Sequence, residues 1–195
     1  GTTGEIGREL HARIRQVMER PSACTNHLAT RPSAPQNLGA RQPAEPVHPP
    51  PASLSDSIWI VAECVQGKPI TAVCELLGVG RRLADTLSTS LVAVLLASGD
   101  ADDAVRELWQ HGADGVLVAQ AESFAPVEDT IHARALSELA VRHAPSVMLF
   151  AATAIGRVLA PQVAVRLHTG LTADCTGLAI DTATGQLLQT RPAFG

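Results

Sequence analysis

The chain has 195 residues, 46% of them hydrophobic and 17% charged, with fifteen Lys and Arg against nineteen Asp and Glu for a formal charge of −4. That suffices for one domain with a core, and it excludes the basic field that recruits a nucleic-acid backbone or an anionic membrane. With no Tyr, three Phe and two Trp, the expected core is aliphatic and base-stacking surfaces are not expected.

Residues 1–56 stand apart from the rest. Glu5 to Arg20 set Ile6, Leu10, Ile14 and Val17 at helical spacing, which predicts a short helix within residues 1–20, read either as a docking helix or as a marginal helix of a tail. Residues 21–56 carry eight of the thirteen prolines, and few apolar side chains adjoin one another between Pro21 and Pro51. An extended, disordered linker is expected there. The first residue is Gly rather than Met, and no basic stretch followed by an apolar one marks a secretory signal.

From Ile58 onward, short β-branched runs alternate with longer segments of helical period. The strands expected are Ile58–Cys64, Leu91–Ala97, Gly115–Ala119, Val147–Ala151 and Leu171–Ile180; the helices are Ile70–Leu87, Asp102–His111, Val127–His143 and Ile155–Leu167. The early strands are apolar throughout, as strands covered on both faces of a parallel sheet must be. No apolar run nears the roughly 20 residues of a membrane helix. Asp100 is placed to cap the second helix, and Gly112 to end it. Pro161 either kinks the fourth helix or starts a new turn. Asp181 to Gly185 reads as a turn that pairs Leu171–Ile180 with Gln186–Thr190, Gly185 supplying positive φ. The sequence therefore predicts a three-layer α/β sandwich with a mainly parallel sheet, a carboxyl-terminal hairpin and a disordered amino-terminal arm.

Catalytic signatures are missing. There is no G-x-x-x-x-G-K-[ST] loop and no G-x-G-x-x-G after the first strand. Gly78-Val79-Gly80 lies inside a helical pattern, where close packing or a local break explains it better than nucleotide binding. His111, His132, His143 and His168 are candidate acids or bases, yet none has a nucleophile near it in sequence, and solvated or helix-terminal histidine is the plainer reading. Ser88, Ser90 and Ser123 lack an elbow signature. Cys24, Cys64, Cys74 and Cys175 are scattered, read as free thiols, and form no C-x-x-C pair or His cluster, so no metal site is expected.

Two stretches stand out, Ala151-Ala152-Thr153-Ala154-Ile155-Gly156-Arg157 and Thr169-Gly170-Leu171-Thr172-Ala173-Asp174-Cys175-Thr176. The first offers backbone N–H groups and the Arg157 guanidinium to an anion or a flavin edge, or is merely a tight turn with Arg157 in a surface ion pair. The second alternates Thr172, Asp174 and Thr176 with Leu171, Ala173 and Cys175. Asp174 there either fixes a turn or contacts a cofactor.

With the strand Ile58-Trp59-Ile60-Val61-Ala62-Glu63, the run Leu159-Ala160-Pro161 and the end Gln189 to Gly195, these stretches resemble the electron transfer flavoprotein alpha subunit, especially the bacterial type, over residues 58–195. The sequence departs from that pattern at Ala151 and Ala154, where Gly and Ser are common, and at Val158, where Asp is usual. The resemblance implies that residues 57–195 are the amino-terminal domain, with an adenine nucleotide alpha hydrolase-like fold. The carboxyl-terminal FAD domain is expected to be missing, so the chain alone would hold no FAD. It also implies a heterodimer with a beta subunit, and an electron carrier rather than a catalyst with its own substrate. Its electrons would pass from acyl-CoA or other dehydrogenases to a quinone oxidoreductase or ferredoxin-linked acceptor in the cytoplasm. Arg157 would border the partner's flavin. The competing reading is a freestanding, stress-protein-like adenine-nucleotide binding module.

Overall fold

The structure, a computed structural model, describes residues 14–17 and 54–192. Most of the expected linker, Cys24 and the last three residues lie outside the described residues. Ile14–Val17 form a strand, β1, which corrects the expected helix at those positions; the rest of that helix lies outside the described residues. Short isolated helices are marginal in water, whereas an unpaired sheet edge offers a row of hydrogen-bonding groups.

The domain then runs β2 (Ile58–Ala62), β3 (Cys64–Val65), β4 (Lys68–Pro69), α1 (Thr71–Leu87), β5 (Leu91–Ala97), α2 (Asp102–Gln110) and β6 (Gly115–Gln120). After a 3-10 turn at Glu122–Phe124 come α3 (Asp129–His143), β7 (Val147–Leu149), α4 (Ala154–Leu167), β8 (Gly177–Ile180) and β9 (Leu187–Thr190). The main sheet has the order β1-β6-β5-β2-β7; β2, β5, β6 and β7 are parallel and β1 is antiparallel to β6. No helix among the described residues is long and apolar enough to cross a membrane.

The pleat explains the layers. Ile58, Ile60, Leu91, Ala93, Leu95, Val116 and Val118 face Val73, Leu77, Leu83, Val105 and Leu108 of α1 and α2. Their neighbours Trp59, Val61, Val92, Val94 and Leu117 face Ala133, Leu136, Leu139, Leu159 and Val163 of α3 and α4. Successive residues of one strand enter opposite cores, so every strand position must be apolar. Trp59 is fully buried; its indole N–H donates to Ser57 Oγ at 2.9 Å, and the Ser57 hydroxyl donates to the Leu54 carbonyl at 2.6 Å. Leu54 and Ser57 thus belong to the packed domain, so the part of the expected linker from Leu54 onward is folded.

The first expected strand stops at Ala62, and Cys64 begins a small hairpin whose turn residues, Gln66 and Gly67, have φ of 52° and 74°. Positive φ at both positions suits a two-residue connection. Pro161 sits inside a single helix, α4, so it does not start a new one. Asp100 accepts the Asp102 N–H at 3.0 Å, and Gly112 takes φ 104° just after α2. The last expected strand is corrected at its start: only Gly177–Ile180 pairs with Leu187–Thr190, because Asp174 adopts φ 54° and breaks the extended run. This hairpin packs through Leu178, Ile180 and Leu187 on the α1 side.

Gly80 is a packing residue: a Cβ there would lie 2.7 Å from Leu91 Cδ1 and 2.9 Å from Ile60 Cδ1, whereas one at Gly78 would meet nothing within 4 Å. Gly78→Ala should therefore stabilise the domain by about 0.5–1 kcal/mol through helix propensity, and Gly80→Ala should leave it about 1–3 kcal/mol less stable than the first variant because the core is overpacked; urea midpoints measure both. A second expectation concerns His143, whose ring centroid lies 6.0 Å from that of Trp59 and whose buried Nε2 has no hydrogen-bond partner. Burial, and then the Arg142 charge, hold it below its ordinary value. The unfolded chain then takes up the proton first as pH falls through about 6.5. Stability should decline in that window, and less so in His143→Leu.

Candidate functional site

β2 and β7 are parallel neighbours, but the chain leaves β2 toward β5 and reaches β7 only after β6. This is the switch point of the sheet, where open α/β folds bind ligands beyond the strand ends. Both stretches that close it come straight off those strands: Glu63 follows β2, and Ala151-Ala152-Thr153 leads from β7 into α4.

Thr153 caps α4, its Oγ1 accepting the Gly156 N–H at 2.9 Å. The same hydroxyl lies 2.7 and 2.8 Å from the two carboxylate oxygens of Glu63 and donates to that group. A Cβ on Gly156 would drive into the Ala151 carbonyl and come within 3.2 Å of Glu63 Oε1, so only glycine lets the three segments close up. The partial positive charge of the helix terminus faces Glu63. An internal carboxylate stands where a nucleotide-binding sheet would receive a phosphate.

Beside this knot lies a cleft of about 330 Å³, lined among others by Glu63, Cys64, Asp100, Phe124, His132 and Ile155. Among the described residues, two carboxylates and no Lys or Arg line it, which repels a diphosphate. His132, expected at a helix surface or end, is instead buried in the first turn of α3, edge-on to Phe124 at 5.2 Å. Its Nδ1 lies 2.8 Å from the Glu128 carbonyl; a carbonyl can only accept, so Nδ1 carries the proton.

The structure brings together the two charged residues singled out in the sequence. Arg157 Nη2 lies 2.7 Å from Asp174 Oδ1, with both side chains more than half exposed. Arg157 Nε also approaches the Ala152 carbonyl at 3.4 Å. Asp174 belongs to the segment that carries the chain from α4, on one face of the sheet, to the hairpin on the other. The surface ion pair is thus the observed state of Arg157, and Asp174 takes the left-handed backbone of a turn. Thr172 Oγ1 donates to Gln189 Oε1 at 3.1 Å, and the Cys175 thiol donates to the Thr172 carbonyl at 3.7 Å.

The other candidates remain dispersed. His168 is the left-handed cap of α4, Ser88 that of α1, and Ser90 is buried at the start of β5. No serine–histidine hydrogen bond occurs among the described residues. Cys64, Cys74 and Cys175 are free thiols. Glu63 and Thr153 were not singled out individually in the sequence, though an acidic residue directly after an all-apolar strand was a readable signal.

Thr153→Ala removes the helix cap and a hydrogen-bond donor to a half-buried carboxylate, and should cost about 1–3 kcal/mol. Thr153→Ser should restore most of it. Equal loss in the two variants, read from urea midpoints, would contradict the hydroxyl's role.

Residues 58–195 match the family model described as the electron transfer flavoprotein domain. Similar proteins include the electron transfer flavoprotein subunit alpha of Thermoanaerobacterium thermosaccharolyticum, 47% identical over 138 residues, and Protein FixB of Clostridium saccharobutylicum, 43% identical over 138 residues; each alignment covers 71% of this chain and 41% of the relative. The acryloyl-CoA reductase electron transfer subunit beta of Anaerotignum propionicum is 41% identical over 124 residues, 64% of this chain and 34% of that protein. The chain thus spans about two fifths of the length of its first relatives. With the sequence hallmarks, the parallel sheet and the match over residues 58–195 in agreement, the chain belongs to the electron transfer flavoprotein domain family.

Proposed function

We propose that residues 57–195 are the amino-terminal, scaffolding domain of an electron transfer flavoprotein alpha subunit, which docks on a beta subunit in the cytoplasm. The assembly would carry electrons from acyl-CoA or other dehydrogenases to a quinone oxidoreductase or ferredoxin-linked acceptor. The single observation that carries this reading is the family match over residues 58–195, and the names of the relatives point the same way.

The family implies flavin use in the complete assembly, where FAD accepts and gives up electrons singly or in pairs. The residues of this domain do not fit a dinucleotide of their own: among the described residues the cleft is lined by Glu63 and Asp100 without a cation, and the α4 terminus is already matched by Glu63. What they fit is an edge contact. Arg157 is exposed and its only ion pair among the described residues is with Asp174, so its guanidinium is our candidate neighbour of a flavin held by the partner. The domain's own work is positional. Exposed Val158 and Val165 lie two turns apart on α4, with exposed Leu171 just beyond its end, and apolar groups in that arrangement favour burial against a protein surface.

The test is to mix the chain with an electron transfer flavoprotein beta subunit and measure mass by analytical ultracentrifugation. A one-to-one complex, weakened at least tenfold by Val165→Glu, is expected; no complex at micromolar concentrations would overturn the reading. In parallel, calorimetric titration with ATP and AMP should show no binding. Tight binding of either nucleotide would instead establish the stress-protein-like alternative.

A further inference from the structure

On the α1–α2 face, remote from Arg157 in the packing, Cys74 of α1 and Glu107 and His111 of the α2 end bring a thiol, a carboxylate and an imidazole together, their ligand atoms all within 4.8 Å of one another. Glu107 and His111 are four residues apart and share one side of the helix. Packing α1 and α2 on the same face of the sheet adds Cys74 from 33 positions before Glu107.

Two further observations favour a cation there. His111 Nδ1 lies 2.9 Å from the Glu107 carbonyl; a carbonyl only accepts, so the proton is on Nδ1 and the lone pair on Nε2. That backbone-anchored tautomer is how ligating histidines are oriented. The Glu107 carboxylate makes no ion pair among the described residues.

We propose that Cys74, Glu107 and His111 form a three-ligand site for a borderline-soft divalent transition ion, Zn²⁺ by its donor set, with the fourth position left to solvent. Sulfur, imidazole nitrogen and carboxylate oxygen together select zinc over calcium or magnesium, which take oxygen alone. On binding, the metal–sulfur bond forms and the Cys74 thiol proton leaves to solvent, so affinity rises with pH. Because the ligands come from two helices, the ion clamps α1 to α2 and stabilises the fold by mass action. Exposed His111 is the side of entry.

The experiment titrates the 195-residue chain with Co²⁺, then with Zn²⁺. One equivalent of Co²⁺ should give a thiolate-to-metal charge-transfer absorption and tetrahedral visible bands that Zn²⁺ abolishes, and Zn²⁺ should raise Tm. Cys74→Ser should lose the charge-transfer absorption. His111→Ala and Glu107→Gln should each weaken binding at least tenfold, while Cys175→Ser leaves it unchanged. Circular dichroism of each metal-free variant separates lost ligation from lost fold, and His111→Ala, at an exposed position, carries the test if Cys74→Ser unfolds. No thiolate absorption with Co²⁺, or full affinity retained in both His111→Ala and Glu107→Gln, would overturn the proposal.

Discussion

Four parallel strands buried on both faces leave this domain few places for chemistry. The faces are closed by α1 and α2 on one side and α3 and α4 on the other, so polar groups can meet only at strand ends or between helices. At the carboxyl end, the meeting of β2 and β7 forces a gap, and the domain fills it with its own carboxylate. Glu63, Thr153 and Gly156 depend on one another: the hydroxyl serves carboxylate and helix N–H together, and the missing side chain lets them approach. A fold whose geometry invites phosphate is thereby turned into a platform.

Much of this was legible in the sequence, for local reasons. Apolar runs such as Leu91–Ala97 and the helical periods of α1 to α4 follow from burial on two faces or one, and their observed bounds differ from expectation by a residue or two. Gly80 was readable as a packing glycine because two glycines sat inside a helical pattern. Where expectation failed, a non-local or single-residue effect decided. The edge of β6 takes up Ile14–Val17 as a strand, which no helical wheel can reveal. Asp174 enters the left-handed region, and one such residue ends an alternating pattern that otherwise reads as strand.

The site was legible in its pieces but not in its assembly. Arg157 and Asp174 were each marked as charged residues at strand ends, but their contact with one another spans a helix and a crossing segment. His132 looked like a surface or helix-end histidine because an imidazole near the start of a helical run is usually solvated; packing against Phe124 buries it. The grouping of Cys74 with Glu107 and His111 depends on two helices lying side by side, and sequence spacing carries no trace of it.

The pair between Arg157 and Asp174 sits largely in water, and exposed pairs of this kind contribute only about 0–1 kcal/mol. It is therefore a latch rather than a weld. An anion of comparable strength can exchange with the aspartate at little cost, while Thr172 and Thr176 keep the crossing segment tied to the hairpin.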